Sequence, residues 1–249
     1  MQQPPFVSIL MLTHNAPDLV RITIDTLRAK TDGVTYELVV VDNASDPETV
    51  ELVKAYEASG DIDTLILSER NTLFAEGNNI AARAAASQAT HFCLLNSDIE
   101  IRQADWLSTL LARHTSGVTA FGMQQDPLRV DGYCLLIDAP LYRAEELDES
   151  HQWWWSVTKL QGNLLTAGHS VQGFFEHETY LHHFGGGSGD AFKSAQGMNV
   201  TRDEVYGWFH GHKPRILDPW PFKAKMALTK IQRKLRNAPR RIFRLLKRQ

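Results

Sequence analysis

The sequence contains few cysteines and no long apolar segment. Only two cysteines occur in 249 residues, Cys93 and Cys134, and both lie in apolar runs typical of strands. We therefore expect buried free thiols in a reducing compartment rather than a disulfide. No apolar run approaches the roughly 18 residues that span a bilayer, and residues 1–5 lead directly into a predicted strand without a signal peptide. These absences predict a cytoplasmic protein.

Two common glycine patterns of nucleotide-binding proteins are also missing. Residues 14–18, which follow the first predicted strand, read HNAPD and lack the glycines of a dinucleotide-binding turn. No Gly-Lys-Ser/Thr sequence of a P-loop occurs, and the glycine-rich run at 185–189 comes late, outside a strand–turn–helix context. The sequence therefore argues against a dehydrogenase and against a P-loop NTPase.

Acidic residues are absent from the C-terminal segment. Residues 219–249 contain eleven Lys/Arg and no Asp/Glu, which leaves 15 of the 26 basic and all 29 acidic side chains in residues 1–218, a net charge of −14. An acidic body with a basic tail predicts a catalytic or binding domain at 1–218 and an electrostatic anchor at 219–249.

The first hundred residues alternate between buried strands and helices. The pattern predicts strands at 6–13, 36–41, 62–67 and 92–95, and helices at 19–28, 48–59 and 77–88. Such alternation predicts an α/β fold with an open, mostly parallel sheet and helices on both faces.

The pattern after residue 100 is less regular. It predicts helices at 106–114 and 139–147, and one ending at 167, with strands at 118–123, 132–137 and 179–183. Residues 191–218 show no clear periodicity, and we expect a substrate loop there.

Three predicted strands end in polar clusters, at residues 13–15, 42–45 and 96–98. Right-handed crossovers bring the C-terminal ends of parallel strands to one edge of the sheet, so these clusters are expected to form one site. The alternative for Asn96-Ser97-Asp98 alone is a turn that ends a strand.

Four motifs occur in the order and spacing of family 2 glycosyltransferases with the GT-A fold. The resemblance is closest to the rhamnosyltransferase-like members, which build bacterial surface polysaccharides. The resemblance covers about residues 6–190. The motifs are Val7-Ser8-Ile9 through Thr13-x-Asn15, Val39 to Ser45 (VVVDNAS), Asn71-x-x-Phe74-Ala75-x-Gly77-Asn78-Asn79, and Leu95-Asn96-Ser97-Asp98.

The resemblance implies a binding site for a nucleoside diphosphate sugar, in which the sugar is linked to UDP, GDP or dTDP. Asp42 would accept hydrogen bonds from the base or ribose. Gly77 would allow close approach, and the helix after it would offer free N–H groups. Asn78-Asn79 could instead be a simple helix cap. The implied donor-binding residues are Thr13, Asn15, Asp42, Asn43, Ser45, Asn71, Phe74, Gly77, Asn78, Asn96, Ser97 and Ser188.

The same resemblance implies a divalent cation, Mn²⁺ or Mg²⁺. Asp98 matches the last residue of the family's Asp-x-Asp-type motif, whose first position is Asn96 here. His183, which precedes the glycine loop, fits the family's late metal-binding histidine better than His182 does, and Ser188 would help to cradle the diphosphate. The alternative is that the two histidines simply alternate across a strand.

The sequence departs from the family pattern at the catalytic base. Where related enzymes carry an acidic pair before a helix, this chain has Ser156-Val157. An inverting transfer needs a base for the acceptor hydroxyl, and the nearest candidates are Asp148, Glu149 and His151, which the sequence does not rank. Asp148-Glu149 could instead cap a helix.

Three consecutive tryptophans, Trp153, Trp154 and Trp155, cannot all face one core, because neighbouring side chains diverge. We expect at least one to line the acceptor cleft; the alternatives are packing and contact with a membrane interface.

The basic tail has two amphipathic segments, one before and one after Pro239. Their separated apolar and basic faces predict that residues 220–249 bind an anionic membrane surface and not nucleic acid, which would explain the charge but not the apolar face.

These features together predict an inverting, metal-dependent glycosyltransferase that acts on a lipid-linked or cell-surface glycan at the inner face of the membrane. Residues 1–100 would bind the nucleotide and 101–218 would form the acceptor side. One alternative is a catalytically inactive GT-A-like protein that binds nucleotide sugar or glycan in a membrane assembly complex. A nucleotidyltransferase ranks last, because the glycine-rich loop after strand one is missing.

Overall fold

The structure is a computed structural model that describes residues 4–122, 129–174, 176–185, 195–210 and 228. The chain divides into two compact units, residues 1–213 and 214–249. Within the second unit only Leu228 is described, as a helical and exposed residue. The predicted tail helices therefore lie outside the described residues.

The first part of the chain alternates strands with helices, as predicted. Pro17 and Pro47 each stand in the first turn of a helix, where the missing N–H removes no helical hydrogen bond. The elements are β1 (Phe6–Thr13), α1 (Pro17–Ala29), β2 (Thr35–Asp42), α2 (Pro47–Ser59), β3 (Thr64–Leu67), α3 (Leu73–Ala84) and β4 (His91–Asn96).

The second part contains shorter elements, several of which the sequence pattern did not predict. The elements are β5 (Ile99–Ile101), α4 (Trp106–Arg113), β6 (Val118–Phe121), β7 (Cys134–Asp138), α5 (Ala139–Ala144), α6 (Trp154–Thr166), β8 (Val171–Phe174), α7 (His177–Tyr180), β9 (Leu181–His183) and α8 (Arg202–Trp208). Strands β5 and β8 were missed, and the predicted strand at 179–183 is shortened by α7.

Helix α8 corrects the expectation of an irregular loop across residues 191–218. Thr201 and Glu204 form a reciprocal capping box at its start. The spacing Thr-x-x-Glu was visible in the sequence and was the signal for this helix.

Seven strands form the main sheet in the order β3-β2-β1-β4-β7-β6-β8. All neighbouring strands are parallel except β7, which runs antiparallel to both β4 and β6. Strands β5 and β9 pair separately as a small antiparallel sheet. The prediction of an open, mostly parallel sheet is confirmed.

Helices cover both faces of the main sheet because its strands are apolar on both sides. On one face, Ile9 and Met11 of β1 belong to a core shared with Ile24 of α1. On the other face, Leu10 belongs to a second core that includes Ala81 of α3 and Tyr142 of α5. This three-layer arrangement exposes the C-terminal edge of β1, β2 and β4 to a ligand.

Helix α3 begins at Leu73, four residues earlier than predicted, and ends at Ala84. Gly77 consequently lies inside the helix, and a Cβ atom at this position would lie 2.5 Å from Leu12 Cδ1. The close approach that Gly77 permits is therefore that of α3 to β1. The predicted free N–H groups after Gly77 do not exist, because the helix already contains that residue.

Cys93 of β4 and Cys134 of β7 are both buried and free, as predicted. Burial raises the pKa of the Cys134 thiol, and the neighbouring Cys93 raises it further. Both side chains therefore act as small apolar groups of the core.

No helix within the described ranges is long and apolar enough to cross a membrane.

Candidate functional site

The ends of β1 and β2 are joined by hydrogen bonds between the polar residues that follow them. Thr13 Oγ1 donates to Asp42 Oδ1 (3.2 Å), and Asp42 Oδ2 accepts from the Ser45 amide (3.1 Å). Ser45 Oγ in turn accepts from the Asn15 amide (2.9 Å), and Asn15 Oδ1 accepts from the Asp46 amide (2.7 Å). The two loops are thereby held as one surface at the edge of the sheet.

Asp42 is only 1% exposed, and each of its carboxylate oxygens already accepts one hydrogen bond. A carboxylate has about four acceptor positions, so the same oxygens can accept further bonds. In this structure Asp42 holds the loop after β2 in place.

The carboxamide of Asn43 connects this edge to the chain before α3. Its Oδ1 accepts from the amide (2.6 Å) and the hydroxyl (2.7 Å) of Thr72, and its Nδ2 donates to Asn71 Oδ1 (2.8 Å) and to the Leu73 carbonyl (3.3 Å). All four hydrogen-bonding positions of this buried amide are used. The predicted residues Asn43 and Asn71 are therefore brought together, with Thr72 as a partner that no motif in the sequence indicated.

Several residues at this edge have left-handed backbone conformations although they are not glycine. Asn15 and Ala16 after β1, Ala44 after β2 and Leu73 at the start of α3 have φ between 55° and 61°. Such conformations are costly for residues with a Cβ atom and cluster at ligand-binding sites. The hydrogen bonds of Asn15 and Asn43 compensate for this strain.

Asp98 and His183 lie next to each other at the end of β4. His183 Nε2 is 3.2 Å from Asp98 Oδ1, and the Gly185 amide donates to Asp98 Oδ2 (3.1 Å). The side chain of Asp98 is 14% exposed. Asn96 is the last residue of β4, and Ser97 and Asp98 form the turn into β5.

The small sheet determines which histidine meets Asp98. Ile99 of β5 pairs with His183 of β9, and Glu100 pairs with His182. Because neighbouring side chains on a strand point to opposite faces, only one histidine can reach Asp98. The structure brings His183 there, and His182 packs edge-on against Phe184 instead.

Tyr133, just before β7, stacks on the His183 imidazole with ring centroids 4.5 Å apart. Burial raises the pKa of the Tyr133 hydroxyl, which stays protonated at neutral pH. The stack orients His183, and no motif in the sequence indicated it. Ser188, predicted to cradle the diphosphate, lies outside the described residues.

The donor set at Asp98 fits a divalent cation. A carboxylate oxygen and an imidazole nitrogen 3.2 Å apart can share one ion, and two ligands leave positions for diphosphate oxygens and water.

Asn78 and Asn79 do not cap a helix, because both are buried in the interior of α3. Asn78 Nδ2 donates to the Phe74 carbonyl one turn earlier (2.8 Å). Asn79 Nδ2 donates to the Leu147 carbonyl (2.9 Å) and its Oδ1 accepts from the Leu147 amide (3.1 Å) and from the Tyr142 hydroxyl (2.9 Å). Asn79 thus fixes the segment that leads to the candidate bases.

The carboxylate of Asp148 is hydrogen-bonded to three nearby side chains. It accepts from Lys159 of α6, from Ser150 and from His151 Nδ1, which is 3.2 Å from its Oδ2. Burial by itself would raise the pKa of Asp148, but the bonds from Lys159 and Ser150 outweigh it and hold the pKa well below the ordinary value for aspartate. A carboxylate with a lowered pKa is a poor proton acceptor.

The two other candidate bases have different surroundings. Glu149 is 45% exposed, accepts from Asn79 Nδ2 (3.0 Å) and lies 3.8 Å from Arg83 near the end of α3. The His151 ring packs edge-on against Trp208 of α8, and Asp148 contacts its Nδ1. A carboxylate on one ring nitrogen orients an imidazole and leaves the other nitrogen for proton transfer.

The three tryptophans have separate environments. Trp155 Nε1 donates to the Met198 carbonyl (3.1 Å), and its ring packs near Trp208. Trp154 is 43% exposed beside it. Trp153 precedes α6 with a strained φ of 47°. Trp154 is thus the most exposed of the three tryptophans, and Trp153 and Trp155 are partly buried.

Ser156 and Val157, which occupy the family's acidic-pair position, are both buried in α6. Gln152, which no motif in the sequence indicated, accepts from the Ala75 amide at the start of α3 (3.0 Å) and donates to the Glu149 carbonyl (2.9 Å). It joins the candidate-base segment to the N-terminus of α3.

A family model described as glycosyl transferase family 2 matches residues 8–129. Two known proteins match over 113 residues each. They are the uncharacterized protein y4gI of Sinorhizobium fredii, 31% identical over 45% of this chain, and the O-antigen biosynthesis protein RfbC of Myxococcus xanthus, 30% identical over 44%. The matched regions are only 12% and 8% of the lengths of those proteins.

Solved structures with the same fold include glycosyltransferases. The mannosyltransferase PcManGT of Pyrobaculum calidifontis, in complex with GDP-Man and Mn²⁺, has a TM-score of 0.58 and 19% identity over 70% of this chain and 56% of its own. Residues 1–349 of S. aureus TarS, in complex with UDP-GlcNAc, have a TM-score of 0.57 and 16% identity over 81% of this chain and 64% of theirs. The predicted GT-A fold is confirmed by these likenesses.

We predict that Asn79→Ala lowers the free energy of unfolding by about 3 kcal/mol, because the Tyr142 hydroxyl and both backbone groups of Leu147 would lose buried partners. Urea denaturation at pH 7 measures the effect. The matched control is Asn163→Ala, which removes one exposed hydrogen bond to Glu145 and should cost less than about 1 kcal/mol. Equal losses in the two variants would contradict the role assigned to Asn79.

Proposed function

Residues 8–129 are a glycosyl transferase family 2 domain, and on this premise we propose an inverting, metal-dependent glycosyltransferase. It would move a sugar from a nucleoside diphosphate donor to a lipid-linked or cell-surface glycan. The observation that carries the proposal is the contact between Asp98 and His183, 3.2 Å apart, next to the polar loops that follow β1 and β2.

The donor would bind along the edge formed by the loops after β1, β2 and β4. Thr13, Asn15, Asp42, Asn43 and Ser45 hold those loops, and the strained backbone nearby supports a preorganised surface. Structures of the same fold have been solved in complex with GDP-Man and with UDP-GlcNAc. A UDP-, GDP- or dTDP-linked sugar is accordingly the proposed donor class.

Asp98 and His183 would hold Mn²⁺ or Mg²⁺, with Tyr133 keeping the imidazole in position by stacking. When bound, such an ion neutralises charge on the departing nucleoside diphosphate. A Mn²⁺ complex among the structures of the same fold supports this choice.

The test is to measure nucleoside diphosphate release from a panel of UDP-, GDP- and dTDP-sugars by the full chain with Mn²⁺. We expect Asp98→Asn to lower kcat/KM about 100-fold or more, because one ligand of the ion is lost. Glu100→Gln on the adjacent strand is the matched control and should stay within about threefold of the unaltered chain.

Activity of Asp98→Asn equal to that of the unaltered chain would refute the metal site. A second outcome would favour the catalytically inactive alternative, which the missing acidic pair motivates. In that outcome Asp98→Asn weakens Mn²⁺-dependent binding of UDP or GDP, but the unaltered chain turns over no donor.

The acceptor hydroxyl needs a base, and we propose His151 for this role. Asp148 contacts His151 Nδ1 and, with its lowered pKa, stays ionised to orient the ring. Glu149 is instead bound to Asn79 and lies near Arg83 at the far end of α3 from the strand ends. The other imidazole nitrogen would take the proton as the acceptor oxygen attacks the anomeric carbon.

We predict that His151→Gln lowers kcat about 100-fold or more with little change in the KM for donor, because general-base catalysis typically contributes that much. Glu149→Gln is the matched control and should keep kcat within a few-fold. Steady-state kinetics at saturating acceptor distinguish the two. A large loss in Glu149→Gln with a small one in His151→Gln would assign the base to Glu149.

The acceptor side would include Trp154, whose exposed ring can stack on a sugar. The basic segment 220–249 would keep the enzyme at the cytoplasmic face of the membrane, where a lipid-linked acceptor is located. Its charge composition supports this, with eleven cations in the last 31 residues that are worth about 1 kcal/mol each near anionic lipid.

We predict that the full chain sediments with vesicles containing phosphatidylserine and that a chain ending at residue 219 does not, since the cations are removed. Neutral phosphatidylcholine vesicles are the control and should bind neither form well. Equal sedimentation of both forms would exclude the anchor, and displacement of the full chain by DNA at the same ionic strength would favour nucleic acid as the partner.

A further inference from the structure

A second group of metal-ligating side chains lies at the opposite edge of the main sheet. His91 is the first residue of β4, and Asp138, the last residue of β7, is its partner in the antiparallel register. His114 directly follows α4. We call the edge formed by the loops after β1, β2 and β4, where the donor would bind, the donor edge. Asn96 lies at that end of β4, five residues after His91, so about 17 Å separates the triad of His91, His114 and Asp138 from the donor edge.

The ligand atoms of the triad converge. One atom from each of His91, His114 and Asp138 lies within 4.8 Å of the others. His114 Nε2 is 3.2 Å from Asp138 Oδ2, and the rings of His91 and His114 meet edge-on with centroids 5.1 Å apart. Ligands at about 2.0–2.1 Å from a tetrahedral ion are about 3.4 Å apart, so the first pair needs almost no movement.

Both imidazoles are held by their Nδ1 atoms. His91 Nδ1 is 2.8 Å from Thr90 Oγ1, which donates its own hydrogen to the Phe6 carbonyl (2.9 Å). In the tautomer whose Nδ1–H donates to Thr90 Oγ1, the lone pair of His91 Nε2 is available to an ion. His114 Nδ1 is 3.0 Å from Thr119 Oγ1. Hydroxyl partners of this kind orient metal-bound histidines.

The surroundings of His114 favour a metal site over simple packing. Its side chain is 5% exposed, and its buried Nε2 forms no hydrogen bond with any residue in the described part of the chain. Asp138 Oδ2, 3.2 Å from this nitrogen, also accepts from the Gly117 amide (2.8 Å). A buried polar atom without a hydrogen bond is costly, and a cation between Nε2 and the carboxylate would remove that cost.

We propose that His91, His114 and Asp138 bind one Zn²⁺ ion, with water as the fourth ligand. Two imidazole nitrogens and one carboxylate suit Zn²⁺ better than Mg²⁺, which prefers oxygen ligands. The ion would join the start of β4, the end of α4 and the end of β7, the only antiparallel strand among the described strands of the main sheet. The site is separate from Asp98 and His183 and does not depend on the proposed transfer.

The experiment uses the untagged full chain after dialysis against EDTA, in an Asp98→Asn/His183→Gln background that removes the donor-edge pair. Zn²⁺ is added in competition with a chromophoric chelator, and the melting temperature is recorded with and without Zn²⁺. We expect one Zn²⁺ per chain and a rise in melting temperature of several degrees, because an ion that binds only the folded chain stabilises it. Co²⁺ in place of Zn²⁺ should give the visible absorption of a tetrahedral complex.

In the same background, His91→Gln and Asp138→Asn should each weaken Zn²⁺ binding at least 100-fold and abolish the Zn²⁺-dependent rise in melting temperature. His91 is half-buried, so His91→Gln is expected to fold, and circular dichroism of the metal-free variants checks this. Absence of Zn²⁺ binding in the background protein would overturn the proposal, as would variants that are folded and bind Zn²⁺ as tightly as the background protein. Either result would identify the triad as an ion pair only.

Discussion

The buried carboxamide of Asn43 is the interaction on which the donor edge depends. Its four hydrogen-bonding positions bind Asn71, Thr72 and Leu73. The backbone amide of Asn43 donates to the Thr13 carbonyl (2.8 Å). One residue therefore ties the end of β1, the end of β2 and the start of α3 together. Without it, Leu73, which has a left-handed φ of 61°, would lose the hydrogen bond to its carbonyl.

The small β5–β9 sheet has the corresponding role on the other side of the site. Its register, with Ile99 opposite His183, determines which of two adjacent histidines reaches Asp98. Tyr133 then limits the rotation of His183 by stacking. Hydrogen bonds thus hold the β1–β2 loops, and contacts with His183 and Gly185 hold Asp98, which suits the preorganised donor site that we propose.

Sequence patterns were informative where residues act through local rules. The apolar runs of β1, β2 and β4 and the polar residues after them predicted the sheet and its functional edge, because buried parallel strands need continuous apolar sequence. Local rules failed at α3, where the pattern placed the start of the helix at Gly77. The actual start at Leu73 depends on bonds from Asn43 and Gln152, which are distant in sequence.

The sequence by itself determined the α/β class, the alternation of strands and helices in the first hundred residues, the free cysteines and the resemblance to family 2 glycosyltransferases. Only the tertiary structure decided that Asn79 is hydrogen-bonded to Leu147 and that Asp148 is hydrogen-bonded to Lys159. It also placed His183, which the sequence spacing had favoured over His182, next to Asp98. It also brought His91, His114 and Asp138 together. These contacts join residues that lie on different elements of the chain, and no local periodicity or propensity records which distant side chains share a space.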